Sequence, residues 1–178
     1  MPSIFSHPVV ALGLAPIFQR FRVPRSMLWL GAFCTIVPDF DVLSFAFDVG
    51  YGDVLGHRGF THSLLFAAIL SAILVYVFLP NRDEASPSAC FVFLFLCTAS
   101  HGVFDALTNG GLGVAFFAPF DDTRYFLPWR PIRVSPIGAG FFSQRGVQVL
   151  LSEIRWMWTP LMTLGLVVFA INRFVSKR

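Results

Sequence analysis

Residues 89–107 read ACFVFLFLCTASHGVFDAL, an uncharged apolar stretch whose only ionisable groups besides Cys90 and Cys97 are His101 and Asp105 near its end. The stretch is close to the roughly 20 residues a helix needs to cross a bilayer. Its imidazole and carboxylate are spaced i, i+4 and therefore project from one helix face. Such a pair inside a membrane helix is costly unless it is partnered or wet. A His–Asp hydrogen bond within the bundle is the plainer explanation of the pair alone; a bound cation is the other.

Working outward, the segment from His62 to Leu79 is free of charge after its first residue, and Trp156 to Ile171 is a further uncharged run. Both are expected to be transmembrane helices. Pro8 to Phe18 and Ser26 to Val37 are too short to cross alone, and are expected to be short, tilted or re-entrant helices supported by the others. The whole chain agrees: 56% of its 178 residues are hydrophobic and 13% charged, against roughly 25% charged in soluble domains. The expected fold is an all-α integral membrane bundle of four to five helices forming one domain over 1–178, with a loop-rich cap over about 109–155. The cap is rich in Gly, Pro and Arg, and its aromatics (Phe116, Phe117, Tyr125, Phe126, Trp129, Phe141, Phe142) suit a membrane interface.

The first residues, MPSIFSHPVV, lack the basic start and apolar core of a removable signal peptide, so the N-terminus is expected to stay attached. Asn81 to Ser88 reads as a polar linker. Cys34, Cys90 and Cys97 are odd in number, lie within apolar segments and form no CxxC motif, which argues for packing roles over a disulfide or zinc-finger framework. Cys97, one turn before His101, is the one conceivable ligand among them. A net charge of +3 spread over loops, with no reader motif, gives no case for nucleic acid.

The ends of the apolar segments carry the chemistry. If all five cross, His7 opens the first, Asp39 and Asp41 close the second, His57 and His62 precede and open the third, and His101 and Asp105 close the fourth. Alternation places all seven at one membrane face. The opposite loops carry Arg20, Arg22, Arg25, Arg82 with Asp83 and Glu84, and then Arg173, Lys177 and Arg178. By the positive-inside rule that side is cytoplasmic, which puts the seven on the extracytoplasmic face; Arg58, Arg124, Arg130, Arg133, Arg145 and Arg155 weigh against it.

Taken singly, the motifs have ordinary explanations. PDFD (Pro38 to Asp41) can be a solvated turn, and His7 an interface residue. HRGFTHS (His57 to Ser63) is harder to dismiss: two imidazoles sit five residues apart, with Gly59 permitting close approach and Thr61 available to cap the following helix. Imidazole is the commonest metal ligand, and carboxylates complete sites for Zn, Mn or Fe. Four histidines and three aspartates at one depth therefore predict a metal centre.

In order, Ser6–His7, LGAFCTIVPDFD (Leu30 to Asp41), HRGFTHS, SHGVFDALTNGG (Ser100 to Gly111) and APF (Ala118 to Phe120) resemble the YdjM-like family of predicted membrane-bound metal-dependent hydrolases of bacterial inner membranes. The resemblance runs from about Ser6 to Pro160. It implies a cation held by His7, Asp39, Asp41, His57, His62, His101 and Asp105. Ser6 stands where that family usually has threonine, which keeps the hydroxyl. A more distant likeness to zinc-dependent phospholipase C, offered as analogy, suggests a phosphoester substrate.

A divalent ion with an open position lowers the pKa of water from about 15.7 toward roughly 7, so hydrolysis is the expected reaction. Seven ligands exceed the three or four one zinc needs. Either two ions bind, or some of the seven orient others or act as base; Asp41 is the expected base. Arg58 is expected to clamp a phosphate through its fork, with Arg124, Arg130, Arg133 and Arg145 contributing or binding lipid headgroups. Glu153 and Arg155 are expected to pair. The substrate expected at such a site is a lipid or lipid-linked ester. Two rivals remain, a divalent-cation transporter and a scaffold with a structural metal. The uncharged middles of the segments at 64–79 and 156–171 favour a pocket over a path.

Overall fold

The computed structural model describes residues 1–79, 84–136 and 138–176. Arg82 and Asp83 of the polar linker, and Lys177 and Arg178, lie outside the described residues.

Five helical rods make the architecture, with no strands beyond two isolated bridges among the described residues. Helix α1 is Val9–Gln19, and α2 is Arg25–Cys34, prolonged by a 3-10 helix over Val37–Phe47. Helix α3 is Leu64–Phe78, α4 is Pro87–Ala106, and α5 runs over Gln144–Val175. By length and composition three can cross a membrane: Arg25–Phe47 (23 residues), Pro87–Ala106 (20) and Gln144–Val175 (32).

Two expectations change here. The segment expected to span from His62 to Leu79 forms a helix of only 15 residues, about 22 Å at 1.5 Å per residue against a hydrocarbon core of about 30 Å. Its start is set by Ser63, whose Oγ accepts from Phe66 N at 3.0 Å. Ser63 is thus the N-cap in place of Thr61. Conversely, the short Ser26–Val37 segment does not stop at Pro38. Proline is tolerated in the first turn of a new helix, and Pro38 begins the 3-10 continuation that carries Asp39 and Asp41.

The cap is also shorter than 109–155. Its last part is helix, because Gln144–Glu153 is amphipathic and continues through a π-helical turn at Ile154–Trp158 into Thr159–Val175. The rest of the cap folds back on the end of α4 through Asn109 N to Ile132 O (3.0 Å), Leu127 N to Ala106 O (2.9 Å) and a Val114–Tyr125 bridge.

Helix α4 is the centre of the bundle, packed by α2, α3 and α1. Phe93, Leu94, Cys90 and Cys97 of α4 meet Cys34 and Met27 of α2 and Phe18 of α1 in the core, so the three cysteines pack and none pairs. Helix α1 lies along the second half of α5. A Cβ on Gly13 would sit 2.8 Å from Leu161 O, and one on Gly165 would sit 3.2 Å from Gly13 O. Small residues allow this approach, the usual basis of helix association in lipid, where apolar burial gives no drive. Outward, α5 exposes Leu166, Val167, Phe169 and Ile171, a surface suited to acyl chains.

The rods alternate, so α1 and α3 begin, and α2 and α4 end, at one end of the bundle. The functional candidates collect there.

Candidate metal centre

The last turn of α4 supplies His101 and Asp105, both fully buried. His101 Nδ1 donates to the Thr35 carbonyl at 2.7 Å, which places a proton on Nδ1 and turns Nε2 toward Asp39 Oδ1 at 3.1 Å. Thr35 reaches this position because α2 ends there, its backbone oxygen released from the helix ladder.

HRGFTHS supplies the second imidazole. A short 3-10 turn, Phe60–His62, precedes α3, and the loop before it closes tightly: a Cβ on Gly59 would lie 2.1 Å from Val54 O. His62 Nδ1 stands 3.1 Å from Asp41 Oδ2, and its Nε2 faces Asp105 Oδ2 at 3.5 Å and Asp39 Oδ1 at 3.8 Å. Burial disfavours the charged ring, but the carboxylates of Asp105 and Asp41 at its two nitrogens outweigh burial and raise the His62 pKa to about 9. Without a cation the ring is held by its proton; a metal would take that proton's place.

Asp39, His62, His101 and Asp105 each offer a ligand atom within 4.8 Å of all the others, and all four residues are buried. Asp39 Oδ2, His62 Nε2 and both Asp105 carboxylate oxygens are buried without a hydrogen-bond partner. Unsatisfied polar atoms are rare in protein interiors. Converging on one point, they fit a cation with two nitrogen and two oxygen donors, a donor set that zinc and similar ions accept.

Asp41, His57 and His62 form a second group of the same kind, sharing His62. Here the hydrogen bonds are already made. Asp41 Oδ1 accepts from His57 Nδ1 (2.6 Å), and Oδ2 accepts from Thr61 Oγ1 (2.8 Å) and Arg58 N (3.1 Å), while His62 Nδ1 lies 3.1 Å from both Oδ2 and Thr61 Oγ1 and hydrogen-bonds to the hydroxyl. Three donors and the neighbouring His62 ring thus engage both oxygens of this carboxylate.

His7 lies outside both groups. Its ring is fully buried and stacks on His101 with centroids 3.9 Å apart, and neither of its nitrogens has a partner. Burial, with His101 next in effect, pushes its pKa down to about 3, so the ring is neutral, as metal binding requires.

Arg58 is 1% exposed and sits at φ 65° in the left-handed region. Its Nε lies 2.8 Å from Asp105 Oδ2, Nη1 donates to Gly110 O (3.0 Å) and Nη2 to Thr108 Oγ1 (3.2 Å). The guanidinium expected to clamp a phosphate is therefore committed to Asp105 and the start of the cap. Arg124 is likewise engaged by the carbonyls of His57 (2.9 Å), Asp53 (3.0 Å) and Tyr51 (3.1 Å), and so holds the loop before HRGFTHS. Arg130 lies over Phe126, and Arg133 donates to Gln148.

The expected Glu153–Arg155 pair does not form. Arg155 lies over the Trp156 ring, while Glu153, fully buried, accepts from the backbone N–H and Oγ of Ser3 and from Ser6 Oγ. Two residues apart on a helix, the side chains point in different directions, and only Glu153 faces inward. Ser6 Oγ also accepts from Trp158 Nε1 at 2.8 Å. This anchor holds the segment that carries His7. Sequence reasoning missed Glu153, Thr35 and Thr108 as supports. Only Thr108, three residues after Asp105, gave a local signal.

With this geometry established, similarity to known proteins fits it. The profile of the YdjM inner membrane protein family matches residues 1–176, and the chain belongs to that family. It is 40% identical over 166 residues to the inner membrane protein YbcI of Escherichia coli (strain K12), covering 92% of this chain and 95% of that protein. Together with the three membrane-length apolar helices, this assigns the chain to the inner membrane. No solved structure matches it.

Proposed function

We propose that this protein is a membrane-bound metal-dependent hydrolase acting on an ester, a phosphoester by preference, of a lipid or lipid-linked substrate, with its site on the extracytoplasmic face. The observation that carries the reading is the convergence of buried ligand atoms without hydrogen bonds from Asp39, His62 and Asp105 beside His101 Nε2, whose ring is held from behind by the Thr35 carbonyl.

Asp39, His62, His101 and Asp105 would hold the ion, with His7 alongside as a neutral fifth donor. Zinc suits the set best, and manganese or iron are alternatives. When bound, the ion supplies Lewis acidity and lowers the pKa of water toward about 7. The chain's own groups do the rest. Asp41 is a positioning residue: held by three donors, it orients His62 as carboxylates behind metal-binding histidines do. A second ion at Asp41, His57 and His62 would have to break these bonds, so one ion is favoured. Arg58 holds Asp105 in place. Asp39, whose Oδ2 lacks a hydrogen-bond partner, is among the residues lining a surface cleft, so Asp39 replaces Asp41 as the proton acceptor for an incoming water.

The test is turnover by purified protein on phospholipids and soluble phosphodiesters, with and without EDTA and with zinc or manganese restored. Hydrolysis lost with EDTA and recovered with metal is expected. Metal-independent turnover, or none on any ester class, would overturn the reading.

A further inference from the structure

Beside the candidate metal centre lies a cleft of about 360 Å³. Its wall is built by Ile4, Phe5, Phe40, Val42, Phe141 and Phe142, and Asp39 is at its edge. Phe5 meets Phe141 at 5.7 Å between ring centroids, and Phe141 meets Phe142 at 5.8 Å, so an aromatic ladder runs along one side. Several of these rings are unusually open for their size: Phe142 is 85% exposed, Phe5 58% and Phe40 47%.

Three facts select the occupant. The cleft is continuous with the candidate centre through Asp39, whose Oδ2 is partnerless and whose Oδ1 faces His62 and His101. Its lining is mostly apolar, with Ser3, Asp39 and Ser135 as the polar side chains, which favours a hydrocarbon chain over a headgroup or a sugar as the group that fills it. Its volume is at the low end of the roughly 300–1,000 Å³ of small-ligand sites, enough for one flexible chain and too little for the paired chains of an intact diacyl lipid.

We propose that this cleft seats a single acyl or alkyl chain of the substrate, with the chain's polar ester end at Asp39. The inference rests on the hydrolase reading and narrows its substrate to an amphiphile presenting one chain at a time. Phe40, between Asp39 and Asp41 in sequence, links chain binding to the ligand-bearing 3-10 helix. Phe5, two residues before His7, does the same from the N-terminal side.

The experiment uses full-length protein in nanodiscs of bacterial lipid and a dodecyl phosphate carrying a photoactivatable diazirine at its chain end, with adducts mapped by mass spectrometry. Labelling is expected on the peptides bearing Phe5, Phe40 and Phe141–Phe142, at least fivefold above the lipid-facing surface of α5 around Leu166 and Phe169. It should be competed by unlabelled dodecyl phosphate and not by inorganic phosphate. Phe142→Ser, at an exposed position outside the metal ligands, should cut cleft labelling severalfold while zinc content stays that of the wild type. Labelling spread evenly over the lipid-facing surface, or unaffected by Phe142→Ser in a folded, zinc-loaded protein, would overturn the proposal. Specific labelling without hydrolysis of any ester would leave the chain-binding cleft standing and remove the hydrolase reading. Hydrolysis without cleft labelling would do the reverse.

Discussion

His62 stands between two carboxylates, with Nδ1 3.1 Å from Asp41 Oδ2 and Nε2 3.5 Å from Asp105 Oδ2. One ring thereby joins a hydrogen-bonded carboxylate to a set of atoms without hydrogen bonds. In the proposed centre the two aspartates, alike in residue type and burial, take opposite roles: Asp41 would orient the ring and Asp105 would share the ion with it.

Replacement of Asp41 should accordingly weaken metal binding without abolishing it. Asp41→Asn is expected to lower zinc affinity about 10- to 100-fold, the usual effect of losing a partner behind a metal-bound histidine. Asp105→Ala, which removes a ligand, should eliminate binding at micromolar zinc. Isothermal titration in detergent distinguishes them; equal affinity of Asp41→Asn and wild type would refute the positioning role.

Arg58 should matter more to folding than to substrate. Its removal strips buried Asp105 of its closest cation and leaves the N-terminal amine, 3.9 Å from Oδ1, as the remaining one, a loss of about 3 kcal/mol, at the low end for a broken buried pair. Arg58→Leu should show it in denaturant unfolding, and Arg58→Lys should not fully restore it, because a lysine cannot reach Asp105, Thr108 and Gly110 together. Saturating zinc should recover part of the deficit by neutralising Asp105. A variant as stable as wild type, with only a raised KM, would reinstate the phosphate clamp.

The pH dependence has a definite sign. The His62 pKa is raised from 6.5 to about 9 in the metal-free fold, so the protonated ring contributes stability that is complete below pH 6.5 and lost as pH rises through 9. A metal must displace that proton. The thermal stabilisation given by a fixed zinc concentration should therefore grow from pH 6 to pH 8.5, while the metal-free protein loses stability over the same range. Melting curves at the two pH values, with and without zinc, measure both; a metal increment that shrinks with pH would contradict the assignment of His62 as a ligand.

The loop carrying HRGFTHS depends on one backbone approach. Gly59→Ala would place a methyl group 2.1 Å from Val54 O, closer than any relaxed contact, and must shift the loop. Zinc content of purified Gly59→Ala is expected to fall to a small fraction of that of the wild type, even where the membrane helices still form by circular dichroism.

Much of this was legible in the chain. The alternation of apolar segments put His7, Asp39, Asp41, His57, His62, His101 and Asp105 at one end of the bundle, and the structure brings six of them into two groups, with His7 stacked on His101. The division of labour was not legible, because it depends on which lone pairs are taken. Asp39 and Asp41 are equivalent as letters, and only the donors around Asp41 separate them. Arg58 looked like a free cation because its acceptors, Thr108 and Gly110, lie some fifty residues away. Helix α5 was read short because Gln144–Glu153 is polar on one face and gives no apolar run.

The wide turn at Ile154–Trp158 has one more implication. Glu153 and Trp158 are five positions apart, which in a regular α-helix at about 100° per residue separates them by about 140°; the π-helical geometry brings both onto Ser6. Such a bulge is one inserted residue held in a helix. Straightening the turn into a regular α-helix with that residue kept would swing the upstream half away by about 100°, so that the carboxylate and the indole could no longer grip the same hydroxyl. The spare residue acts as a clutch, setting the rotation of one membrane helix so that the amino-terminal strap carrying His7 is locked down.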